Sequence, residues 1–334
     1  MVFQTVQPRK DEGCGMRERF VTGTGRFGRE NGLPKEKRSV VKMNQYVVAV
    51  LGGGFCWGFM GFFTRHLTGF GIGAGDAIIV RCGVAAVCFA ALLLGTDPRQ
   101  FRVKIKDLWC FLGSGLLSLL FFTFCYFNAI NLMNLSAAAI LLYIAPTVVM
   151  LLSAVLFREK ITKCKVLAVL FAFAGCCLVS GITGGVSITC RGLLFGLGAG
   201  VGYALYTIFS RYALQRGYSS GTINCYSCLL AALGAIALWG SGETWHAAAA
   251  SPASVLWCLG TGVFSCFVPY LLYTYGLTGL ENSRASVIAS IEPVVASAVG
   301  VCFYHEKMTV SSLIGVLLVL FAVLLLNVRQ KART

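Results

Sequence analysis

Residues 136–162 read SAAAILLYIAPTVVMLLSAVLFREKIT, and residues 283–309 read SRASVIASIEPVVASAVGVCFYHEKMT. These two stretches align without a gap when the chain is shifted by 147 positions against itself. Nine residues are identical when the comparison is extended to positions 126–162. Near the start of the chain, a shift of 146 pairs Gly54 with Gly200. The chain therefore consists of two related halves.

The composition indicates a membrane protein. The chain has 334 residues, of which 57% are hydrophobic and 12% are charged, and a water-soluble protein of this size does not need so apolar a composition. A helix needs about 20 apolar residues to cross a bilayer. We predict an all-α integral membrane protein with ten transmembrane helices, spans 1 to 10, near residues 45–64, 74–95, 108–129, 134–157, 164–182, 191–210, 222–240, 254–278, 283–303 and 310–327.

The two halves hold five spans each, and this odd number decides their relative orientation. The second half must enter the membrane from the opposite side, so the halves form an inverted repeat, as in many secondary transporters. The alternative is that duplication only produced a stable helical bundle. The predicted division of the chain is a tail at 1–42, a first repeat at 44–182, a second repeat at 191–327 and a short basic cytoplasmic tail at 328–334.

Lysine and arginine residues predict the orientation in the membrane. If the N-terminus is cytoplasmic, the segments on that side from Lys35 onward hold 18 Lys and Arg residues, whereas the other side holds only Arg65, Arg191 and Lys307. Positive residues favour the cytoplasmic side, so we predict that both termini are cytoplasmic and that the protein lies in the inner, or plasma, membrane. The net charge of +15 reflects this topology and does not indicate nucleic-acid binding.

The first 42 residues differ from the rest of the chain. They are rich in glycine, contain ten Lys and Arg and five Asp and Glu residues, and have no apolar run that could act as a signal peptide. We predict a disordered basic tail. Two alternatives remain: a lipid-binding or nucleic-acid-binding arm, or a segment upstream of a native start at Met43.

Glu292 is a carboxylate in the middle of span 9. It lies roughly 14 to 16 Å from either end of the predicted helix, where a charged side chain costs about 2.5 to 3.5 kcal/mol unless it faces protein or water. Pro293 cannot donate a hydrogen bond to Ala289, which predicts a kink and a free carbonyl. Three roles are open for Glu292: a proton carrier, an ion pair with Arg81 of span 2, or a protonated structural carboxyl.

Fifteen cysteines are present, and most of them lie within spans, where thiols act as small hydrophobic groups. Cys225 and Cys228 form a C-x-x-C pair without a nearby histidine or second cysteine pair, so we predict no metal site. No organic cofactor is indicated either. Glu159 and Glu306 are predicted to anchor neighbouring helices from helix ends. Glycine pairs at a spacing of four predict close helix crossings: Gly54 with Gly58, Gly196 with Gly200, and Gly198 with Gly202.

These features resemble the drug/metabolite transporter superfamily, and specifically its EamA-type members with ten helices. The resemblance rests on the repeated pattern quoted above, on the Glu-Pro pair of span 9, on FCWG at residues 55–58 and on Arg81. It covers about residues 44–327. It implies a central cavity lined largely by spans 1, 3, 4, 6, 8 and 9, and export of amino acids, other metabolites or drugs.

Aromatic and polar side chains at mid-depth are candidates for solute contact, because a buried hydroxyl or indole N–H needs a partner that a hydrated cavity can supply. Hydrogen bonding between packed helices is the alternative for each, and Arg81 could hold a solute carboxylate or pair with Glu292. Tyr270 and Tyr273 share a helix face. The predicted substrate-binding residues are Trp57, Arg81, Tyr126, Asn128, Tyr143, Tyr203, Tyr206 and Tyr273, and the predicted coupling or gating residues are Glu292, Pro293 and Pro146.

The sequence thus predicts a secondary transporter that moves a small organic solute by alternating access, with proton coupling as an option. Export follows from the resemblance. A channel or a non-transporting receptor is the alternative, although neither a ring of like charges nor a carbonyl filter is visible. An enzyme is disfavoured because the three histidines lie in separate segments. The predicted partners are the solute and the lipid bilayer, with no nucleic acid, and the predicted state is a monomer or homodimer.

Overall fold

The computed structural model describes residues 35–133, 135–180, 189–240, 242–305 and 308–331. Within these ranges the regular elements are all helices. They form ten spans: span 1, Lys35–Gly58 and Met60–Gly69; span 2, Ala74–Thr96; span 3, Leu108–Leu112, Gly113–Leu120 and Phe121–Leu132; span 4, Leu135–Leu142 and Ala145–Leu156; span 5, Lys163–Val179; span 6, Cys190–Gln215; span 7, Ser220–Trp239; span 8, Pro252–Gly262, Val263–Phe267 and Val268–Leu277; span 9, Asn282–Ala289 and Glu292–Tyr304; span 10, Val310–Lys331.

The lengths and hydropathies of these spans fit a bilayer. Eight described segments are long and apolar enough to cross a membrane, Val310–Leu326 is a shorter apolar helix, and Lys163–Val179 has 17 residues. The connections are short and include the helix Gly242–Ala249 and the 3-10 turns Pro98–Phe101 and Ile105–Asp107. The predicted fold class is confirmed: this is an all-α membrane protein with two inverted repeats of five helices.

Packing between the repeats follows an approximate two-fold symmetry. Span 1 packs against spans 8 and 9, and its counterpart, span 6, packs against spans 3 and 4. Spans 2 and 7 pack against each other, as do spans 5 and 10. Exchanging each span for its counterpart in the other repeat leaves this set of contacts unchanged. That property is expected of an inverted repeat about an axis in the membrane plane.

Spans 4 and 9 are interrupted at equivalent positions. In each span two residues separate the first half from the second, and the second half has a proline in its first turn, Pro146 in span 4 and Pro293 in span 9. Proline removes one backbone donor and clashes with the preceding turn. The kink predicted at Pro293 is confirmed, and Pro146 has the same setting.

Glycines let another helix approach each interruption. A Cβ added to Gly54 of span 1 would lie 2.6 Å from Cγ2 of Ile291 and 3.0 Å from a carbonyl oxygen of span 9. In the other repeat, a Cβ on Gly200 of span 6 would lie 2.6 Å from Cγ2 of Ile144 and 2.8 Å from a carbonyl oxygen of span 4. The predicted close crossings are confirmed at these positions, which place spans 1 and 6 directly against the broken helices.

The described helix of span 1 begins at Lys35, within the segment 1–42 that was assigned to the tail. Residues 1–34 lie outside the described residues. Glu306 and Lys307, the second copy of the Glu-Lys pair, also lie outside them.

We expect Gly54→Val to destabilise the protein, because the added atoms would overlap span 9 at its interruption. Overpacking of this kind costs about 1 to 3 kcal/mol. Thermal unfolding in detergent would measure the loss. Gly83→Val is the matched control, since a Cβ at Gly83 has no atom within 4 Å among its described surroundings. Equal melting temperatures for the two variants would contradict the crossing described here.

Candidate functional site

A cavity of about 1190 Å³ lies between the two repeats. Spans 1, 3, 4, 6, 8 and 9 all contribute to its lining, and so does span 2. The lining extends from mid-depth residues to Arg65, Asn131 and Tyr304, near the ends of spans 1, 3 and 9. These ends lie on one side of the bundle, which we call the open face. The opposite side, where spans 4 and 8 end, is the closed face. Such a volume accommodates a small organic molecule.

Aromatic rings form the floor of the cavity. The ring centroid of Trp57 lies 5.2 Å from that of Tyr270 and 6.4 Å from that of Tyr203. Phe122 packs edge-on against Tyr203 at 5.5 Å. These rings come from spans 1, 3, 6 and 8, so both repeats build the floor. Aromatic side chains at such a position offer apolar contact together with hydroxyl and indole donors.

Glu292 lies at the side of this floor. It is the first residue of the helix Glu292–Tyr304, so its carboxyl group is at the positive end of a helix dipole. The Tyr203 hydroxyl donates a hydrogen bond to Glu292 Oε2 at 3.3 Å. Glu292 and Pro293 both line the cavity. The break in span 9 thus presents an acid at mid-depth to the space between the repeats.

Arg81 lies on another wall and is 5% exposed. Its Nη1 donates to the Met60 sulfur at 3.2 Å, while its Nε has no hydrogen-bond acceptor among the described residues. The ion pairs found within 4.0 Å among those residues do not include Arg81 with Glu292. The two groups therefore face one cavity from separate walls, and a close ion pair, which was one of the three roles open for Glu292, is not formed in this conformation.

The sequence-predicted residues fall into two groups. Trp57, Arg81, Tyr126, Asn128, Tyr143, Tyr203, Glu292 and Pro293 line the cavity. Tyr206, Tyr273 and Pro146 are not part of this lining. The Tyr206 hydroxyl bonds with Asn224 and Thr274, and the Tyr273 hydroxyl bonds with Thr207 at 2.8 Å. These two tyrosines lie on the closed-face side of the floor.

Several lining residues were not singled out from the sequence. They include Asp76 at the start of span 2, which accepts a hydrogen bond from Thr244 at 2.6 Å, and Phe122, Asn131 and Ser297. Asp76 could have been noticed as an acidic residue in the first turn of a helix. Phe122 and Ser297 carry no signal of this kind, because only the rotation of their helices decides what they face.

The closed face is sealed by a polar network around Glu159. Its carboxylate accepts hydrogen bonds from the backbone N–H groups of Asn282 and Ser283 at 2.7 and 3.4 Å, and from the Ser283 hydroxyl at 2.7 Å. The Lys165 ammonium lies 3.6 Å from Glu159 and 2.8 Å from Glu281. Glu159 therefore caps the first turn of span 9, as its predicted anchoring role requires, and that prediction is confirmed.

The network continues to span 6. Arg211 donates to the Asn282 side chain and to the Leu280 carbonyl, and Asn282 Nδ2 donates to the Ser153 hydroxyl at 3.1 Å. Asn282 and Ser153 are fully buried. Both repeats are thus joined at the closed face, whereas the residues of the open face line a cavity.

Comparison with known proteins places this architecture in a family. The sequence profile of the EamA-like transporter family matches residues 44–181 and 190–328. The chain belongs to the EamA-like transporter family. It is accordingly a multi-pass membrane transporter.

Similar proteins occur in Archaeoglobus fulgidus and Bacillus subtilis. A protein of Archaeoglobus fulgidus named as an uncharacterized transporter is 32% identical over 275 residues, which cover 74% of this chain and 96% of the relative. The uncharacterized transporter YxxF of Bacillus subtilis is 23% identical over 83% of this chain and 88% of its own length. A crystal structure of a protein with 17% identity matches with a TM-score of 0.73 over 86% of this chain and 98% of that chain. The similarity to this crystal structure shows the fold alone.

We expect a cysteine placed in the cavity to be reached by solvent from one face only. In a background with the exposed Cys190 and Cys302 changed to serine, Ser297→Cys should react with a charged, bilayer-impermeant thiol reagent added to the open face. Thr207→Cys, at a buried position below the floor, is the control and should stay unmodified. Mass spectrometry measures both reactions. Modification of Ser297→Cys from both faces would contradict the cavity geometry.

Proposed function

We propose that this EamA-like protein is a secondary transporter that exports a small organic solute by alternating access. In this proposal it lies in the plasma membrane with both termini in the cytoplasm, and its repeats, residues 44–182 and 191–327, rearrange relative to each other. The closed face is assigned to the cytoplasm because most of the Lys and Arg residues outside the tail lie on that side. The direction of transport rests on the family resemblance.

One observation carries the proposal. A solute-sized cavity between two inverted repeats extends to one face, while a hydrogen-bonded network joins the same repeats at the other. A carrier needs such a state and its mirror-related counterpart at similar free energies. A permanently open channel would need a continuous path instead. The asymmetric closure of a symmetric scaffold supports the carrier.

The lining suggests which solutes fit. Arg81 offers an unused donor to a carboxylate or similar anion, and Glu292 offers an acceptor to a cation or a polar N–H. Trp57, Tyr203 and Tyr270 between them provide apolar and aromatic contact. Opposite charges on separate walls favour a small organic molecule that carries a negatively charged group.

Glu292 is the proposed coupling group. A carboxyl group at mid-depth is tolerated when it is neutral or solvated, and Glu292 would be exposed to each side in turn as the two states exchange. It could therefore carry a proton inward while the solute moves outward. Tyr203 of span 6, which donates a hydrogen bond to Glu292, belongs to the same repeat as Glu292.

We expect Glu292→Gln to abolish transport driven by a pH gradient while solute exchange persists, because the amide keeps the shape of the side chain but cannot release a proton. Proteoliposomes with an internal pH-sensitive dye would first be given amino acids and other carboxylated metabolites one at a time to find a solute. Counterflow and gradient-driven flux of that solute would then be compared.

Tyr273→Phe is a matched control for this experiment, because Tyr273 lies outside the cavity lining and does not bond to Glu292. It should retain gradient-driven transport. Full gradient-driven transport by Glu292→Gln would reject proton coupling through this residue. Absence of counterflow by the unchanged protein with every solute tested would reject the carrier.

The Glu159 cap is the proposed gate at the closed face. The Glu159 carboxylate of the first repeat bonds to the start of span 9 in the second repeat. In the alternate state, Glu159 would release span 9. The cap would then stabilise the state in which the cavity extends to the open face.

A residue with left-handed backbone geometry follows the second half of each broken span, one at the closed face and one at the open face. Arg158, directly before Glu159, has φ of 55°, and His305, directly before Glu306, has φ of 53°. This left-handed conformation is uncommon for residues other than glycine, and it ends each helix so that the chain turns back. The equivalent turn thus precedes both glutamates. Arg65, the counterpart of Arg211, lines the cavity in the state described.

We expect Glu159→Gln to shift the two-state equilibrium away from the state described, because it weakens the cap that joins the repeats at the closed face. A hydrogen bond to a charged group contributes about 1.5 to 3 kcal/mol, so the shift should be roughly tenfold or more. Glu159→Gln should therefore lower the reactivity of Ser297→Cys from the open face.

Glu281→Gln is the control for this gate, since its side chain is 55% exposed and lies 2.8 Å from Lys165 in a partly exposed ion pair. It should change the thiol reactivity little. Equal thiol reactivity in the Glu159→Gln and Glu281→Gln variants would contradict the gate.

A further inference from the structure

Three cysteine thiols from three spans meet in the core. Cys82 comes from span 2, Cys228 from span 7 and Cys266 from span 8, and all are at most 1% exposed. Their sulfur atoms lie within 4.8 Å of one another, and those of Cys228 and Cys266 are 3.8 Å apart. Transport as proposed above uses none of them.

This convergence differs from the packing of other buried cysteines. Cys225 lies one helical turn before Cys228, yet its sulfur points toward the Ala86 carbonyl at 3.9 Å and takes no part in the cluster. The C-x-x-C pair of the sequence is therefore split. Cys266 lies in the π-helical turn Val263–Phe267, and such turns are frequent at functional sites.

The spacing of the three sulfurs matches a metal site. Metal–thiolate bonds of about 2.3 Å in a flat, three-coordinate arrangement place the sulfurs about 4 Å apart. Thiolate ligands select soft cations, and Cu(I) is the soft first-row ion that they favour. A tetrahedral ion such as zinc would need a fourth ligand, and within the described residues this cluster consists of three cysteines.

A positive side chain lies beside the cluster. Arg81 directly precedes Cys82 in span 2, and both residues are buried. Thiolates are the ligands of a bound metal ion, so binding releases three protons, and Cu(I) and Arg81 together offset two of the three negative charges. The preference for Cu(I) rests on the sulfur ligands and on their number.

We propose that Cys82, Cys228 and Cys266 form a three-coordinate sulfur site for a soft d10 cation, Cu(I) by preference. Binding is a ligand exchange: three Cu–S bonds replace the bonds between Cu(I) and the ligands that delivered it, three thiol protons leave to solvent, and no electron is transferred. The cation would enter from the cavity, because Arg81 and Ser265, the chain neighbours of Cys82 and Cys266, line it. The ion would hold spans 2, 7 and 8 together next to Arg81.

The test uses the full chain in detergent under anaerobic conditions, with the exposed Cys190 and Cys302, and also Cys14, changed to serine. Cu(I) is titrated against the chelator bicinchoninate. We expect one Cu(I) to be retained per chain, with X-ray absorption showing three sulfur neighbours at about 2.3 Å. Failure of this protein to retain Cu(I), or coordination dominated by nitrogen or oxygen, would overturn the proposal without any core variant.

Core variants locate the ion. Cys228→Ala should weaken Cu(I) binding at least tenfold and reduce the number of sulfur neighbours. Cys225→Ala, one turn away and equally a buried cysteine, is the matched control and should bind as the parent does. Equal Cu(I) affinity in Cys228→Ala and the parent would mean that the ion binds adventitiously elsewhere, and this outcome would also overturn the proposal.

Discussion

The structure depends on how a bilayer treats backbone and side-chain polar groups that lack partners. Spans 4 and 9 are both interrupted near mid-depth, and span 9 adds a carboxyl group at that point. Hydrocarbon cannot solvate any of these groups. They must face protein or water, so spans 1 and 6 approach the interruptions through glycine, and the remaining side of each break faces the cavity. The broken helices therefore require a cavity beside them, and the same cavity provides space for a solute.

The approximate symmetry of the scaffold contrasts with the asymmetry of its charges. Helix breaks, glycine crossings and left-handed turns recur at equivalent positions in both repeats. Glu292, however, corresponds to Ala145, and Arg81 corresponds to Ser227. Equivalent scaffolds allow two states of similar free energy, whereas unique charges give a single cavity its chemistry. The repeat thus supports the motion, and the differences between its copies support recognition.

The two faces of the protein show how this symmetry is broken in one conformation. At the closed face, Glu159 and Arg211 bond to the start of span 9 and the end of span 8. At the open face, Arg65 lies in the wall of the cavity with its guanidinium over the Tyr304 ring at 4.2 Å. A cap on a helix N-terminus is well suited to such a switch, because it joins one carboxylate to several donors at the positive end of a helix dipole. Its contribution of a few kcal/mol is comparable to the difference that separates alternating states.

The sequence by itself determined the ten spans, the inverted repeat, the kink at Pro293 and the family, because the hydropathy, the residue spacing or a motif along one chain indicates each of them. It also indicated that Glu292 and Arg81 lie at depth. Only the tertiary structure decided which residues of one helix face the cavity. Tyr270 lines it and Tyr273 does not, although they share a helix face in sequence, because the rotation of a helix is set by its neighbours. The same holds for Cys225 and Cys228. The separation of Arg81 from Glu292 and the capping of span 9 by Glu159 join residues far apart in the chain, and distances of this kind are fixed by packing between helices.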